Sequence, residues 1–419
     1  MITETSPEYQ CPGESHPISR AVHLARLASF YPKCRGCAHG DDTGTLSPHL
    51  VKLLEQTRRR ERDASLFTVE GVTGVYLNTL TAPQTRDLAA AFGLGLPRRS
   101  AETEQATDDV VVAGDGRPLT SELVAAACDG LRWSARRVID LGAATAPCVA
   151  WAVDHLRAAG GLLVGNAGDA PRAIGLKFWR HYGRPLSAGS ELDRVRQLYE
   201  AGVNRPSRKY GALGRFQPDV GYLAGLEGHF HALRPLRFVL DTRCQPLLGY
   251  LTALSAESAC EVVEDQEVGR QATTRRGLVE RVRRADAHFG LWIGSDGEAC
   301  RLVDERGLEV RHEEWLRLTA RRLLESHPGG AFVLEHGTNA RIAERIDAAG
   351  GRVTFSDAAR AAMDDAMRVH RALAGGGPSG RLWFGGEVPA ADILKALALL
   401  LNVLSQSDRS LSEVIRDAS

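Results

Sequence analysis

The residues able to do chemistry fall in two places that composition alone would not flag. The first is Cys34-Arg35-Gly36-Cys37-Ala38-His39, a C-x2-C hairpin with a histidine beside it. Two thiolates at that spacing can bind one tetrahedral metal, so Cys34 and Cys37 are half of a candidate zinc site. Cys11, His16, His23, His39 and His49 compete for the remaining positions; Cys11 and His39 complete the preferred set. A helix of about 13 residues spans ~20 Å, so Cys11 must fold back to meet Cys34. Unpaired thiols in a loosely packed extension are the bland alternative, and an iron–sulfur cluster would want four thiolates. The second place is Gly160–Lys177, GGLLVGNAGDAPRAIGLK. An apolar run entering a Gly/Asn/Asp loop reads as a strand delivering that loop to a functional rim.

The elements that must carry these residues read as alternating strands and helices. Strands are predicted at Val110–Val112, Val138–Leu141, Leu162–Val164, Phe238–Leu240, Leu291–Ile293, Phe332–Leu334 and Val353–Phe355. Helical patterns fill Thr120–Leu131, Ala150–Ala158 and the apolar Leu394–Leu404, and a further helix starts near His16-Pro17. That alternation argues for α/β units with mostly parallel strands. Thr57–Asp63, TRRRERD, reads as a solvated linker, and Gly375-Gly376-Gly377-Pro378 as an exposed flexible loop.

Composition sets outer limits. At 419 residues the chain has room for several domains, and its 43% apolar and 25% charged content is ordinary for a globular protein. Lys+Arg and Asp+Glu both number 52, so no global charge argues for nucleic acid or a membrane surface. Ile393–Leu404 is too short for a membrane span. Eight cysteines behind a start without a secretory pattern are expected to be reduced thiols in a cytosolic protein.

Taken in order, the motifs resemble those of the α-D-phosphohexomutases, the phosphoglucomutase/phosphomannomutase family. Phe67–Gly74 is similar to the family's F-G-T-S-G-I-R-G, with Glu70 and Thr73 where it has serine and arginine. Val111–Arg117 resembles V-V-G-x-D-x-R, keeping Asp115 and Arg117, and Val138–Pro147 resembles V-I-D-L-G-x-x-P. Gly160–Lys177 resembles the phosphoserine loop: Gly175 and Lys177 match, but Ala167 stands at the nucleophile, with Gly168 and Asp169 after it. No Ser or Thr occurs from Gly160 to Tyr182. Gly294–Ala299 resembles the Mg2+ loop D-G-D-x-D-R, retaining Asp296 and Glu298, and Gly385–Ala391 resembles the sugar loop G-G-E-x-S-G-H, retaining Glu387.

The resemblance implies three α/β/α domains of phosphohexomutase type with mixed, mostly parallel sheets, over 61–200, 201–302 and 303–419, behind a Cys/His-bearing extension at 1–60. The family continues into a fourth, phosphate-clamping domain, which the resemblance leaves as lacking here. A mutase needs a phosphodonor, a metal to balance it and a clamp on the second phosphate. With Ala167 at the donor and two metal-loop carboxylates, Asp296 and Glu298, retained, a degenerate family member is expected, binding a sugar phosphate or a protein partner. Arg117, Lys177 and Glu387 are its candidate ligand contacts. Glu70 is expected to repel a phosphate, and the metal loop to be solvated more than Mg2+-filled. The alternatives are an active mutase with Asp169 as a carboxylate nucleophile, or an interaction protein working through a metal-stabilised extension.

Overall fold

A computed structural model describes residues 9–10, 15–29, 31, 34, 37–54, 66–98, 107–165, 173–203, 209–256, 258–264 and 275–417. Cys11, the run 57–63 and the loop with Ala167, Gly168 and Asp169 lie outside the described residues. The chain divides into two compact units, Met1–Leu66 and Phe67–Ser419.

The first unit is built on the helix Arg20–Ala28, which Ser19 caps by accepting the Val22 N–H. Its small core joins Leu27, Cys34 and Leu54. Tyr9 pairs with Ile18 in an isolated β-bridge, stacks on the His23 ring at 4.2 Å and donates its hydroxyl to Asp42.

The second unit carries three sheets. The first is eight-stranded and formed by β1 (Phe67–Thr68), β2 (Gly71–Val75), β3 (Asp109–Gly114), β4 (Arg137–Ala143), β5 (Gly160–Gly165), β6 (Ala173–Arg180), β7 (Arg184–Pro185) and β8 (Leu213–Arg215). Its order is β1-β2-β6-β5-β3-β4-β8, with β7 on β6. Strands β9 (Arg237–Thr242), β10 (Glu261–Glu264), β11 (Phe289–Ile293), β12 (Cys300–Asp304) and β13 (Glu309–Val310) form the second sheet, ordered β10-β9-β11-β12-β13. The third, ordered β15-β14-β16-β17-β18, holds β14 (Ala331–Glu335), β15 (Arg352–Ser356), β16 (Ala374–Gly376), β17 (Leu382–Phe384) and β18 (Ala390–Ala391).

One topology is used three times. In each sheet the first strand of the set sits between the second and third, in parallel, and the fourth turns back antiparallel beside the third. Parallel strands need helical crossovers, which supplies the alternation visible in the sequence. The sheets reach past the expected domain limits: β8 pairs with β4 well after residue 200, and β13 pairs with β12 after residue 302. Gly375 and Gly376 are not in an exposed loop; they lie buried in β16, between β14 and β17.

A continuous apolar cluster runs through all three sheets, from Val111 and Leu163 through Phe238, Phe289 and Leu291 to Phe332 and Leu334. Two buried polar side chains tie distant segments of this core together. Asp392 caps the helix Ile393–Ser405 and also accepts the Tyr222 hydroxyl at 2.9 Å. Arg136 is fully buried and closes the C-terminus of the helix Ala82–Gly95, donating to the carbonyls of Gly93, Leu96 and Pro97. Burial, with Arg98 adding to it against Asp108, lowers its pKa to about 10. Arg136→Leu would orphan those carbonyls in an apolar setting. The expected cost is on the order of 3 kcal/mol, read as a lowered urea midpoint with unchanged slope.

Candidate active site

The carboxylates at the metal-loop position are placed by a tight turn between β11 and β12. Gly297 takes a φ of +76°, a conformation costly for any other residue. Asp296 Oδ1 accepts the Glu298 N–H at 3.1 Å, an Asx turn that sets the two side chains toward the same neighbour. That neighbour is Lys177, delivered by β6 opposite Leu163 of β5. Its Nζ lies 2.5 Å from Asp296 Oδ2 and 2.7 Å from Glu298 Oε2. The loop is not solvated: Asp296 is 6% exposed and Glu298 4%.

Two arginines from the third sheet's region complete the cluster, and sequence reasoning missed both. Arg360, the first residue of the helix Arg360–Val369, donates Nε to Glu298 Oε1 at 3.0 Å and stacks over the Trp179 ring at 4.4 Å. Arg381, just before β17, grips both oxygens of Glu70 and sends Nε to 3.7 Å from Glu298 Oε2. The Arg360 N–H also points at Glu70, 3.3 Å from Oε1, as a helix N-terminus favours. Glu70 is held in the β1–β2 turn by Gly71, where a Cβ would lie 2.2 Å from the Leu176 carbonyl oxygen. Rather than standing as an uncompensated negative charge, as expected, Glu70 is half of a bidentate pair.

The hairpin that presents Arg381 is itself anchored. Ser379 donates its N–H at 2.8 Å and its hydroxyl to the buried Glu335 carboxylate. The Cys300 N–H bonds to Gly380 O at 3.1 Å, and Ala299 and Arg381 form an antiparallel bridge. The second and third sheets are thereby joined by backbone as well as by charge.

Three anions (Glu70, Asp296, Glu298) thus face three cations (Lys177, Arg360, Arg381). Burial alone would raise the Glu298 pKa, but Arg360, Lys177 and Arg381 outweigh it and hold it down at about 2. For Arg381, burial pulls the other way and is overcome by the Glu70 bonds and the Glu298 charge, which raise it.

Both carboxylates were tested as Mg2+ ligands against this geometry. Asp296 Oδ1 and Oδ2 and Glu298 Oε1 and Oε2 each already accept an N–H from Glu298, Lys177, Arg360 and Lys177 respectively. A hard dication needs those oxygens bare and several more beside them. The residues present do not fit Mg2+, and no group of three or more His, Cys, Asp or Glu stands ready for a metal among the described residues. In the first unit Cys34 is buried, Cys37 half-buried, and the His39 ring meets Tyr9 edge-on at 5.4 Å; Cys11 lies outside the described residues, and those described assemble no zinc site.

The other expected contacts lie apart from this cluster. Arg117 is held by Asp115, Nε to Oδ2 at 2.6 Å, and donates Nη1 to Ala173 O at 3.3 Å, leaving Nη2 buried without a partner among the described residues. Asp115 is fully buried, and burial raises its pKa against the pull of Arg117. Glu387 is exposed, and its carbonyl accepts from Arg368 Nη1 at 2.9 Å.

Glu298→Gln keeps the shape and removes one buried anion from among three cations. At neutral pH a loss on the order of 3 kcal/mol is expected. Because the folded-state pKa lies below the ordinary 4.5, this stabilisation is present above that value and lost as the pH falls toward about 2. Urea midpoints of the wild type and the variant should therefore converge between those limits. An equal gap at pH 7 and pH 2.5 would contradict the assignment.

Comparison with known proteins finds a likeness to phosphohexomutases from three directions. Residues 64–204 match the family model for phosphoglucomutase/phosphomannomutase, alpha/beta/alpha domain I. A phosphohexose mutase of Xanthomonas campestris is 26% identical over 342 residues, covering 78% of this chain and 75% of that protein. A phosphoglucomutase/phosphomannomutase family protein from Burkholderia thailandensis superposes with a TM-score of 0.74 at 23% identity, over 84% of this chain and 79% of that one. The Aspergillus fumigatus N-acetylphosphoglucosamine mutase, in complex with GlcNAc-6P and magnesium, superposes at 0.51 with 11% identity, over 88% and 83%. Together with the thrice-used topology and the ordered motifs, these make the chain similar to the α-D-phosphohexomutases in fold, with residues 64–204 matching the model of that family's first domain.

Proposed function

We propose that this chain is a catalytically degenerate phosphohexomutase that binds a sugar phosphate, or serves as a regulatory scaffold, rather than moving a phosphoryl group. The observation that carries this reading is the closed charge network. The oxygens that would hold a metal are taken by cations of the chain itself, and Glu70 is locked to Arg381 where the family motif has a serine. Ala167 at the phosphodonor position and the lack of any Ser or Thr between Gly160 and Tyr182 support it from the sequence.

Binding without transfer asks less of the site. Phosphate oxygens need hydrogen-bond donors, and buried donors without partners are costly unless a ligand supplies an acceptor. Arg117 Nη2 and Arg360 Nη1 are both buried and without a partner among the described residues. Each is a donor that a phosphoryl oxygen could satisfy. The relatives named as phosphohexose mutase and as an enzyme in complex with GlcNAc-6P make a hexose phosphate the first ligand class to try.

The test is a coupled mutase assay on glucose 1-phosphate and mannose 1-phosphate, with Mg2+ and a bisphosphate activator, wild type beside Ala167→Ser. Calorimetric titration with the same sugar phosphates runs in parallel. The expected outcome is no wild-type turnover, at least roughly 10³-fold below the 1–10³ s⁻¹ of ordinary enzymes, with saturable binding that Arg117→Met weakens about tenfold. Wild-type turnover would overturn the proposal and move attention to Asp169. Absence of both turnover and binding would remove the ligand and leave a scaffold.

A further inference from the structure

The network raises a question that catalysis does not answer: what neutralises two adjacent buried carboxylates when no room is left for a dication between them. Asp296 and Glu298 are each less than a tenth exposed and share one partner. That partner, Lys177, is 13% exposed at its side chain and makes its contacts across 119 and 121 positions of sequence.

The choice of residue is informative. Lys177 is one of five lysines in a chain with 52 Lys and Arg combined, so arginine is the default cation here. An ammonium is a compact point charge with donors on several sides, whereas guanidinium is a planar fork suited to one carboxylate. Bridging two carboxylates from one point is what a metal ion does and what Nζ does here, at 2.5 and 2.7 Å. The two arginines behave as forks should: Arg381 takes Glu70 bidentately, and Arg360 takes the far oxygen of Glu298.

Charge arithmetic points the same way. Three carboxylates and three cations sum to zero. A dication added to this set would leave two uncompensated positive charges in a buried cluster, which ion desolvation strongly disfavours. Removing Lys177 would instead leave one net negative charge, an Asx turn already formed and two carboxylate oxygens stripped of their donor, Asp296 Oδ2 and Glu298 Oε2.

We propose that the Lys177 ammonium is a built-in counter-ion occupying the place of a divalent cation between Asp296 and Glu298, so that the three-sheet body is assembled without metal. The inference concerns charge balance and stands whether or not the chain binds or turns over a sugar phosphate. Mn2+ is the probe, because the free ion's magnetic-resonance signal is lost on binding. Full-length wild type, Lys177→Ala and Lys177→Ala/Asp296→Asn are titrated with Mn2+, and thermal unfolding is followed with and without millimolar Mg2+.

Wild type should show no saturable Mn2+ site and an unchanged Tm in Mg2+ or in chelator. Lys177→Ala should gain one site, at least tenfold tighter than any residual wild-type binding, with a Tm that rises in Mg2+; Asp296→Asn should abolish both gains. Stoichiometric Mn2+ binding by wild type that Asp296→Asn or Glu298→Gln removes would overturn the proposal. So would a folded Lys177→Ala that gains no site, since the arginines alone would then exclude the metal. Lys177→Met, which keeps the side-chain volume, takes the same test if the alanine variant does not fold.

Discussion

The body of this protein depends on keeping buried carboxylates company. Glu298 sits at 4% exposure in the turn of the second sheet, where an unpaired charge would cost several kcal/mol, a large part of the stability margin of an ordinary domain. Its partners come from elsewhere: Lys177 from the first sheet, Arg360 and Arg381 from elements around the third. Long-range pairing of this kind forces the sheets into one arrangement, because separating any one of them would strand a charge. The apolar cluster that runs from Val111 to Leu334 supplies the burial, and the ion network selects the geometry within it.

The repeated topology explains why the network forms where it does. In each sheet the third and fourth strands of the set run antiparallel, and in the second and third sheets a turn joins them. In the second sheet that turn carries Asp296 and Glu298, and in the third it carries Ser379 and leads to Arg381. The first sheet contributes Lys177 from its fourth strand. Equivalent pieces of three copies thus meet. The β16–β17 turn is held down by the buried Glu335 through Ser379, and this anchoring aims Arg381 at Glu70.

How much of this could be read from the sequence divides along physical lines. The seven predicted strand segments all fall within observed strands, most of them buried parallel strands that read as short apolar runs. The last three strands of the third sheet escaped: AGG, LWF and AA are too short or too small to carry a period, which is why Gly375 and Gly376 read as loop rather than β16. The metal-loop carboxylates and Lys177 were picked out by motif, but not their mutual pairing. Glu70 and Arg381 lie 311 residues apart, and no local pattern links them. The one available signal was Glu70 itself, since a carboxylate in a glycine-bounded turn of a charged site requires a cation from somewhere. Arg360 gave no such warning, being one arginine among many.

The equality of the three positive and three negative charges has a consequence beyond stability. A cleft lined by one sign of charge focuses field lines and draws an oppositely charged solute in from a distance, raising its encounter rate by factors of ten to about a thousand. A balanced sextet has no monopole; its potential decays within a few ångströms and is already short-ranged before salt screens it. An anion approaching this part of the molecule would meet no guiding field and would dock at the pace of unsteered diffusion, nearly independent of ionic strength. By becoming its own counter-ion, the cluster has gone electrostatically quiet.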